Sequence, residues 1–129
     1  MEVRQLLALG ATMLAIASVP AFAQDSKEPY MRIAEIEIDP AQLEAYKTAV
    51  DEQIKAAIRL EPGVLALYAV ADKDNPARVL VFEMYADVEA YRAHLDTDHF
   101  KKYKIATQDM VQSLKLRDTV PIQLGAKPR

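Results

Sequence analysis

The chain has 129 residues, a net charge of −3 at pH 7 and no cysteine. Nucleic acids and anionic membranes are bound through basic patches, so a mildly acidic chain excludes both as expected partners. An exported protein without disulfides obtains its stability from packing, either within its single domain or against a second subunit.

The first part of the chain has the pattern of a cleavable signal peptide. An apolar run over 6–19 follows Arg4 and is short for a bilayer span. Ala21-Phe22-Ala23 then has the small-x-small form of a signal-peptidase site, so we expect cleavage after Ala23 and a periplasmic or secreted protein without membrane attachment. An uncleaved anchor is the alternative. The expected divisions are a signal peptide over 1–23, a polar leader over 24–30, a folded domain over 31–124 and a tail over 125–129.

The first half of the domain predicts a strand followed by a helix. Residues 31–38 alternate between apolar and polar side chains and are rich in isoleucine, which is typical of a strand. Asp39 is a good helix N-cap, and Pro40 suits the first helical position. Apolar residues at steps of three and four then predict a helix to about Leu60, and Glu61-Pro62-Gly63 ends it.

The second half predicts a hairpin, two helices and a last strand. The elements are strands over 64–71 and 78–85, a helix capped by Asp87 up to the Asp96-Thr97-Asp98 break, a helix from His99 to about Leu114, and a strand over 115–124. Pro121 cannot donate to a ladder, so the last strand is expected at an edge. This order indicates an α+β protein with the ferredoxin-like β-α-β-β-α-β fold and an antiparallel sheet.

The third strand is apolar on both faces. Alternation places Leu80, Phe82 and Met84 on one face. The opposite face carries Val79, Val81, Glu83 and Tyr85. One layer of helices covers only one face, so the simplest cover for the other is the sheet of a second copy, in a homodimer. The alternative is a monomer with an apolar ligand groove.

Four titratable residues form the candidate catalytic group. His94 and His99, the two histidines of the chain, lie five residues apart after the third strand, and the break between the helices lets them converge. Histidine is the side chain best suited to acid/base catalysis at neutral pH. Glu83 and Tyr85 project under the helices, where burial raises a carboxyl pKa unless the group is paired. The alternatives without a catalytic role are that the histidines lie on the surface, and that Glu83 forms an ion pair with Arg32, Arg78 or Arg117.

An aromatic pocket is expected beside this group. Tyrosine is frequent for so short a chain, and aromatic side chains that face the core can line a site for a flat aromatic ligand. The predicted pocket residues are Tyr68, Val81, Tyr91, Phe100 and Tyr103.

Neither a metal nor an organic cofactor is expected. His94, Asp96 and His99 have the composition of a two-histidine, one-carboxylate iron site, with Glu83 as a further candidate ligand. However, such sites gather ligands from separated elements, and most of these residues come from one short turn. The chain has only three glycines, so it lacks a glycine-rich nucleotide loop.

The pattern Glu61-Pro62-Gly63, then Glu83-x-Tyr85, then His94 and His99-Phe100, resembles the antibiotic biosynthesis monooxygenase domain over Met31 to Leu124. The resemblance implies a ferredoxin-like fold that dimerises through its sheet into an α+β barrel. It also implies an activity like that of quinol and anthrone monooxygenases, which use O₂ without metal or flavin. The heme-degrading relatives use a pocket tryptophan, and this chain has none.

The expected function is therefore an exported, cofactor-independent monooxygenase that acts on a small phenol or quinol with O₂. His94 or His99 would remove a phenolic proton, Glu83 would relay it, and Tyr85 would position the ring. Two other classes stay open: an acid/base isomerase or lyase acting on a hydroxy-carbonyl compound, and a non-catalytic dimer that binds a small aromatic ligand.

Overall fold

A computed structural model describes residues 28–129, so the predicted signal peptide and the leader up to residue 27 lie outside the described residues. The elements are β1 (Tyr30–Ile38), a 3₁₀ turn (Pro40–Gln42), α1 (Leu43–Leu60), β2 (Val64–Ala71), β3 (Arg78–Tyr85), α2 (Val88–Leu95), α3 (Asp98–Thr107) and β4 (Val111–Asp118). Within this part of the chain, none of the helices combines the length and apolar character that a bilayer crossing requires.

The four strands form one antiparallel sheet in the order β2-β3-β1-β4, and the helices pack on one of its faces. This is the predicted α+β, ferredoxin-like fold. Two clusters of buried side chains join the helices to the sheet. One packs Tyr46 of α1 against β1 and β3, and the other packs Ala57 and Tyr85 near α2.

Asp39 and Asp87 cap the helical segments that follow them, as the sequence predicts, and Thr97 is a further cap. Asp39 accepts a hydrogen bond from the amide of Ala41 at 3.0 Å, and Asp87 accepts one from the amide of Ala90 at 2.8 Å. In the break between α2 and α3, the hydroxyl of Thr97 accepts from the amide of Phe100. Each cap satisfies an amide that has no partner inside its helix.

The predicted boundary between α3 and β4 is wrong. The helix ends at Thr107 rather than Leu114, and the last strand is Val111–Asp118 rather than 115–124. The amide of Met110 turns back to the carbonyl of Thr107, and the strand starts directly afterwards. β4 does lie at an edge, as predicted, but Pro121 falls beyond the strand and has no part in the ladder.

The expected position of Tyr68 beside Glu83 is also wrong. The register between β2 and β3 shifts between Val64 and Ala66, so Tyr68 pairs with Phe82 and shares its face. A bulge of this kind reverses the inward and outward positions that simple alternation predicts. Tyr68 is 55% exposed, on the side of the sheet away from the helices.

That outer face of the sheet is apolar and has no helix over it among the described residues. Tyr68, Val70 and Phe82 are exposed there, and Leu80 and Met84 are half-buried beside them. The two-faced character of the hairpin strands is therefore present in the structure. We refer to these five side chains as the outer apolar face.

Candidate functional site

A cavity of about 250 Å³ lies between the sheet and the helices. Four of the five predicted pocket residues line it: Val81, Tyr91, Phe100 and Tyr103. Tyr68 does not, because it lies on the other face of the sheet. The cavity is thus lined mainly by apolar and aromatic side chains, as small-molecule sites usually are. The roles of these residues in binding stay predictions.

Glu83 is the carboxyl group on the cavity wall. Burial raises its pKa, while a hydrogen bond from Tyr85, the charge of His94 and the charge of Arg32 oppose that rise. The Tyr85 hydroxyl donates to Oε1 of Glu83 at 2.9 Å. Tyr85 is fully buried, and burial together with the neighbouring carboxylate raises the pKa of its phenol. A carboxyl group with a raised pKa is a stronger base, once ionised, than an ordinary glutamate.

Glu83 has no arginine ion pair within the described residues. Arg78 lies near Glu37, and Arg117 pairs with Glu35. Arg32 lies directly opposite Glu83 in the β1–β3 ladder, but its guanidinium is turned to Tyr91 and Asp118. The arginine pairing considered from the sequence is therefore absent from this part of the chain.

The two histidines meet at one oxygen of Glu61. Nδ1 of His94 lies 2.7 Å from Oε2 of Glu61, and Nε2 of His99 lies 2.6 Å from the same oxygen. Their ring centroids are 6.1 Å apart, so they converge as predicted. Neither lines the cavity that Glu83 lines. His94 is 1% exposed and packs between the rings of Tyr85 and Phe100.

Gln53 connects this cluster to the cavity. Its side-chain Nε2 lies 3.1 Å from Nε2 of His94, and the residue also lines the cavity. Because Glu61 accepts from Nδ1–H of His94, a neutral His94 presents a lone pair to the Gln53 amide. Oε1 of Gln53 is buried without a partner. A half-turn of the amide would present that oxygen to a protonated His94, so the amide suits either protonation state.

Glu61, His94 and His99 are also the side chains that could hold a metal. Their ligand atoms all lie within 4.8 Å of one another, and the set comes from three segments of the described chain. Glu61 thus takes the place that the sequence assigned to Asp96. Ligand atoms around an ion at about 2.1 Å stand roughly 3 Å or more apart. The observed contacts are shorter and match hydrogen bonds, so a bound ion requires the cluster to expand.

The sequence interpretation missed three residues of this site. Glu61 was assigned only to a helix-ending turn, although its motif carried the resemblance. Gln53 is a buried polar residue on the apolar stripe of α1, and Arg32 shares the inner face of β1 with Ala34. A polar residue on an otherwise apolar face was the available signal in both cases.

Gly63, in the same turn as Glu61, permits the close approach of α2. A Cβ at this position would lie 2.6 Å from the Cβ of Ala90. The Glu-Pro-Gly turn therefore supplies both the carboxylate for the histidines and the space for the helix that carries His94.

A family model described as antibiotic biosynthesis monooxygenase matches residues 29–105. The chain belongs to this family. The match covers β1 through most of α3, and so includes every residue of the Glu61–histidine cluster and Glu83. Comparison with proteins of curated function gives no match.

Solved structures of similar proteins carry this family name or the broader name monooxygenase. One from Bacteroides thetaiotaomicron VPI-5482, provisionally assigned as an antibiotic biosynthesis monooxygenase, is 49% identical, with a TM-score of 0.75 over 79% of this chain and 97% of that chain. A provisionally assigned monooxygenase from Lactobacillus acidophilus NCFM is 33% identical, with a TM-score of 0.71 over 76% of this chain and 46% of that chain. A protein from Nitrosomonas europaea has the same fold; it is 23% identical, with a TM-score of 0.70 over 74% of this chain and 92% of that chain.

Proposed function

We propose that this member of the antibiotic biosynthesis monooxygenase family is an exported, cofactor-independent monooxygenase that oxidises a small phenol or quinol with O₂. The observation that carries the proposal is Glu83, a half-buried carboxyl group with a raised pKa on the wall of an aromatic-lined cavity. An ionised carboxylate with a raised pKa is a stronger base than an ordinary glutamate, and this favours removal of a phenolic proton.

Glu83, rather than either histidine, is the proposed base. Its side chain lines the cavity, whereas His94 and His99 are engaged with Glu61 and do not line it. A general base must lie within hydrogen-bond reach of the proton that it removes. His94 and Tyr85 then act as positioning residues, because Tyr85 hydrogen-bonds Glu83 and the ring of Tyr85 packs against that of His94.

The proposed reaction needs no bound redox group. Removal of the proton gives a phenolate, which is rich enough in electrons to transfer one to O₂. Recombination forms a carbon–oxygen bond on the ring. For a simple quinol, the balance is quinol plus O₂ giving hydroxyquinone plus water, with one ring C–H bond broken. The apolar walls, including Val81 and Phe100, favour dioxygen and a flat ring over water.

We also propose a homodimer formed through the outer apolar face. Monomers rarely expose a contiguous apolar patch of this kind, and a second copy supplies a matching cover by two-fold symmetry. Light scattering at micromolar concentration is expected to give twice the protomer mass. Phe82→Asp should shift it toward the monomer, and Val120→Asp, in the exposed tail beyond β4, should not.

The activity is tested by oxygen uptake on a panel of hydroquinones and naphthols, using protein freed of metal and flavin. Uptake is expected with at least one compound and should fall by about 10²–10⁴-fold in Glu83→Gln, the range for loss of a general base. Glu89→Gln, an exposed carboxylate on α2, is the matched control. Absence of uptake with every compound, or uptake only with added iron, would overturn the proposal.

An acid/base isomerase or lyase is the second candidate, and the raised pKa of the Glu83 carboxyl group favours it equally. The two are separated by running the reaction without oxygen. A monooxygenase stops, whereas an isomerase converts a hydroxy-carbonyl compound at an unchanged rate. Export is a separate part of the proposal, tested by fractionating the cells and sequencing the N-terminus of the mature protein, which is expected to begin at Gln24.

A further inference from the structure

The net charge of the residues that line the cavity is opposite in sign to the net charge of the chain. Arg32 and Lys104 line it, and Glu83 is the single carboxyl group that does. The whole chain carries a net charge of −3. With two cations and one carboxyl group, the lining has an excess of positive charge whether Glu83 is ionised or neutral. A lining of this kind attracts an anion rather than a neutral ring alone.

Arg32 is the more buried of the two cations, and only part of its guanidinium is engaged. Its side chain is 12% exposed. Nη1 donates to the hydroxyl of Tyr91, and the guanidinium carbon lies 4.9 Å from the centre of the same ring. Within the described residues, no hydrogen bond involves Nη2. The tyrosine therefore fixes the plane of the guanidinium and leaves a terminal donor for another group.

The counter-charge of Arg32 is weak. Nε lies 3.0 Å from Oδ1 of Asp118, close enough for an ion pair, yet it has no aligned hydrogen bond. Asp118 is 73% exposed on the edge strand, where water screens the pair. Tyr30 also donates to Oδ1 of Asp118 and so shares that acceptor. A half-satisfied, largely buried arginine favours a second anionic partner.

We propose that Arg32 binds a carboxylate of the substrate, so that the cavity selects aromatic acids over neutral aromatic compounds of the same size. The ring packs among Tyr91, Phe100 and Val81, and a ring hydroxyl lies toward Glu83. The position of that hydroxyl rests on the proposed function, whereas the carboxylate contact does not. The substrate class is then a hydroxylated aromatic acid with one or two rings, which a cavity of about 250 Å³ can hold.

The test compares two probes that share a ring system and differ in charge: 2-naphthoate and 2-naphthol. Binding to the full mature chain is measured by calorimetry at pH 7.5. Loss of a charge-assisted hydrogen bond costs about 1.5–3 kcal/mol, so Arg32→Gln is expected to weaken naphthoate binding roughly 10- to 100-fold. Binding of 2-naphthol should change less than about threefold, because it makes no charged contact with Arg32.

Two further variants make the result specific. Arg92→Gln removes an exposed arginine next to Tyr91, on the same helix but paired with Glu89, and should leave both probes unaffected. Arg32→Lys keeps the charge but loses the planar fork, and should fall between the wild type and Arg32→Gln. If circular dichroism shows that Arg32→Gln does not fold, Arg32→Lys replaces it as the test variant.

Three results would overturn the proposal. The arginine variants could lose affinity for both probes equally, or all proteins could bind naphthoate with the same affinity. The wild type could also fail to bind naphthoate. Oxygen uptake is scored separately. If naphthoate binding depends on Arg32 but no compound supports oxygen uptake, this inference stands and the proposed monooxygenase activity is refuted. Uptake without a preference for acids would do the reverse.

Discussion

Tyr85 and Glu83 project from the same face of β3, and the tyrosine hydroxyl donates a 2.9 Å hydrogen bond to Oε1 of the carboxyl group. The bond stabilises the ionised carboxylate and so opposes the rise in pKa that burial causes. Tyr85 thereby lowers the pH at which Glu83 ionises, although it does not itself line the cavity.

Tyr85→Phe should therefore move the pH profile of the proposed activity. Without the hydroxyl, the pKa of Glu83 rises further, and the ascending limb of kcat/KM shifts to higher pH. The other groups that act on Glu83 or respond to its charge are Arg32, Tyr46, His94 and Tyr103. Tyr68→Phe, on the outer apolar face, is the control and should leave the profile unchanged. A shift to lower pH in Tyr85→Phe contradicts this role.

Glu83 should also make stability depend on pH. Its pKa in the folded protein lies above the ordinary glutamate value of 4.5, so the folded state binds more protons than the unfolded state between those two values. Wild-type stability is then fully present below that ordinary value and declines as pH rises through the folded-state pKa. Glu83→Gln cannot ionise and escapes the decline. Urea unfolding at pH 4, 6 and 8 should show the variant gaining on the wild type with rising pH; a constant difference would refute the assignment.

His94 should contribute more than His99 to the free energy of unfolding. His94→Ala removes a buried ring and deprives both Glu61 and Gln53 of a partner, so we expect a loss of about 2–4 kcal/mol. His99 is partly exposed, and water can replace its contact, so His99→Ala should cost about 1 kcal/mol. Urea unfolding followed by circular dichroism measures both. Equal losses would mean that burial of His94 does not control its contribution.

Gly63→Ala should destabilise the protein by about 1–3 kcal/mol through overcrowding. The added methyl group meets the Cβ of Ala90, which is fixed to the helix backbone and cannot swing away. α2 must then shift, carrying His94 with it. The compensating pair Gly63→Ala with Ala90→Gly should recover most of the loss in thermal unfolding. Gly125→Ala, in open space near the C-terminus, is the neutral comparison. A fully stable Gly63→Ala single variant would argue against close packing here.

Metal removal should leave turnover unchanged. Dialysis against a chelator is expected to preserve oxygen uptake, because the proposed chemistry uses only Glu83, the substrate and O₂. Added Zn²⁺ can reach Glu61, His94 and His99 only by displacing their mutual hydrogen bonds. Glu61→Gln shows whether any zinc effect arises there. Loss of activity with the chelator, restored by Fe²⁺, would instead make the cluster a metal centre.

The hairpin strands could be predicted to the residue because strong local signals enclose them. Gly63 precedes β2, and the polar run over 72–76 separates it from β3. The border between α3 and β4 lacks such a signal. Met110, Val111 and Leu114 fit both a helical stripe and an alternating strand, so pairing with β1 decides the outcome. The bulge near Val64 is equally invisible, because it is a property of pairing between two strands.

The residues that make up the site could be predicted better than the hydrogen bonds between them. Glu83 and the four aromatic and apolar wall residues follow from strand alternation and helical spacing. The partner of the histidines does not, because Glu61 is 33 residues from His94 and 38 from His99 in the sequence. Spacing patterns report local neighbours only. Contacts at such separations depend on how α2 packs against the turn after α1.

One wall of the cavity is formed by an edge strand, which is hydrogen-bonded to a neighbouring strand on one side only. Leu114 and Leu116 of β4 line it and are 44% and 46% exposed, and β4 pairs with β1 alone. An edge strand separates from its neighbour at a lower free energy than a central strand. We therefore expect local opening of β4 to expose the cavity more readily than opening of a central strand would. Amide exchange in β4 should slow when the cavity is occupied.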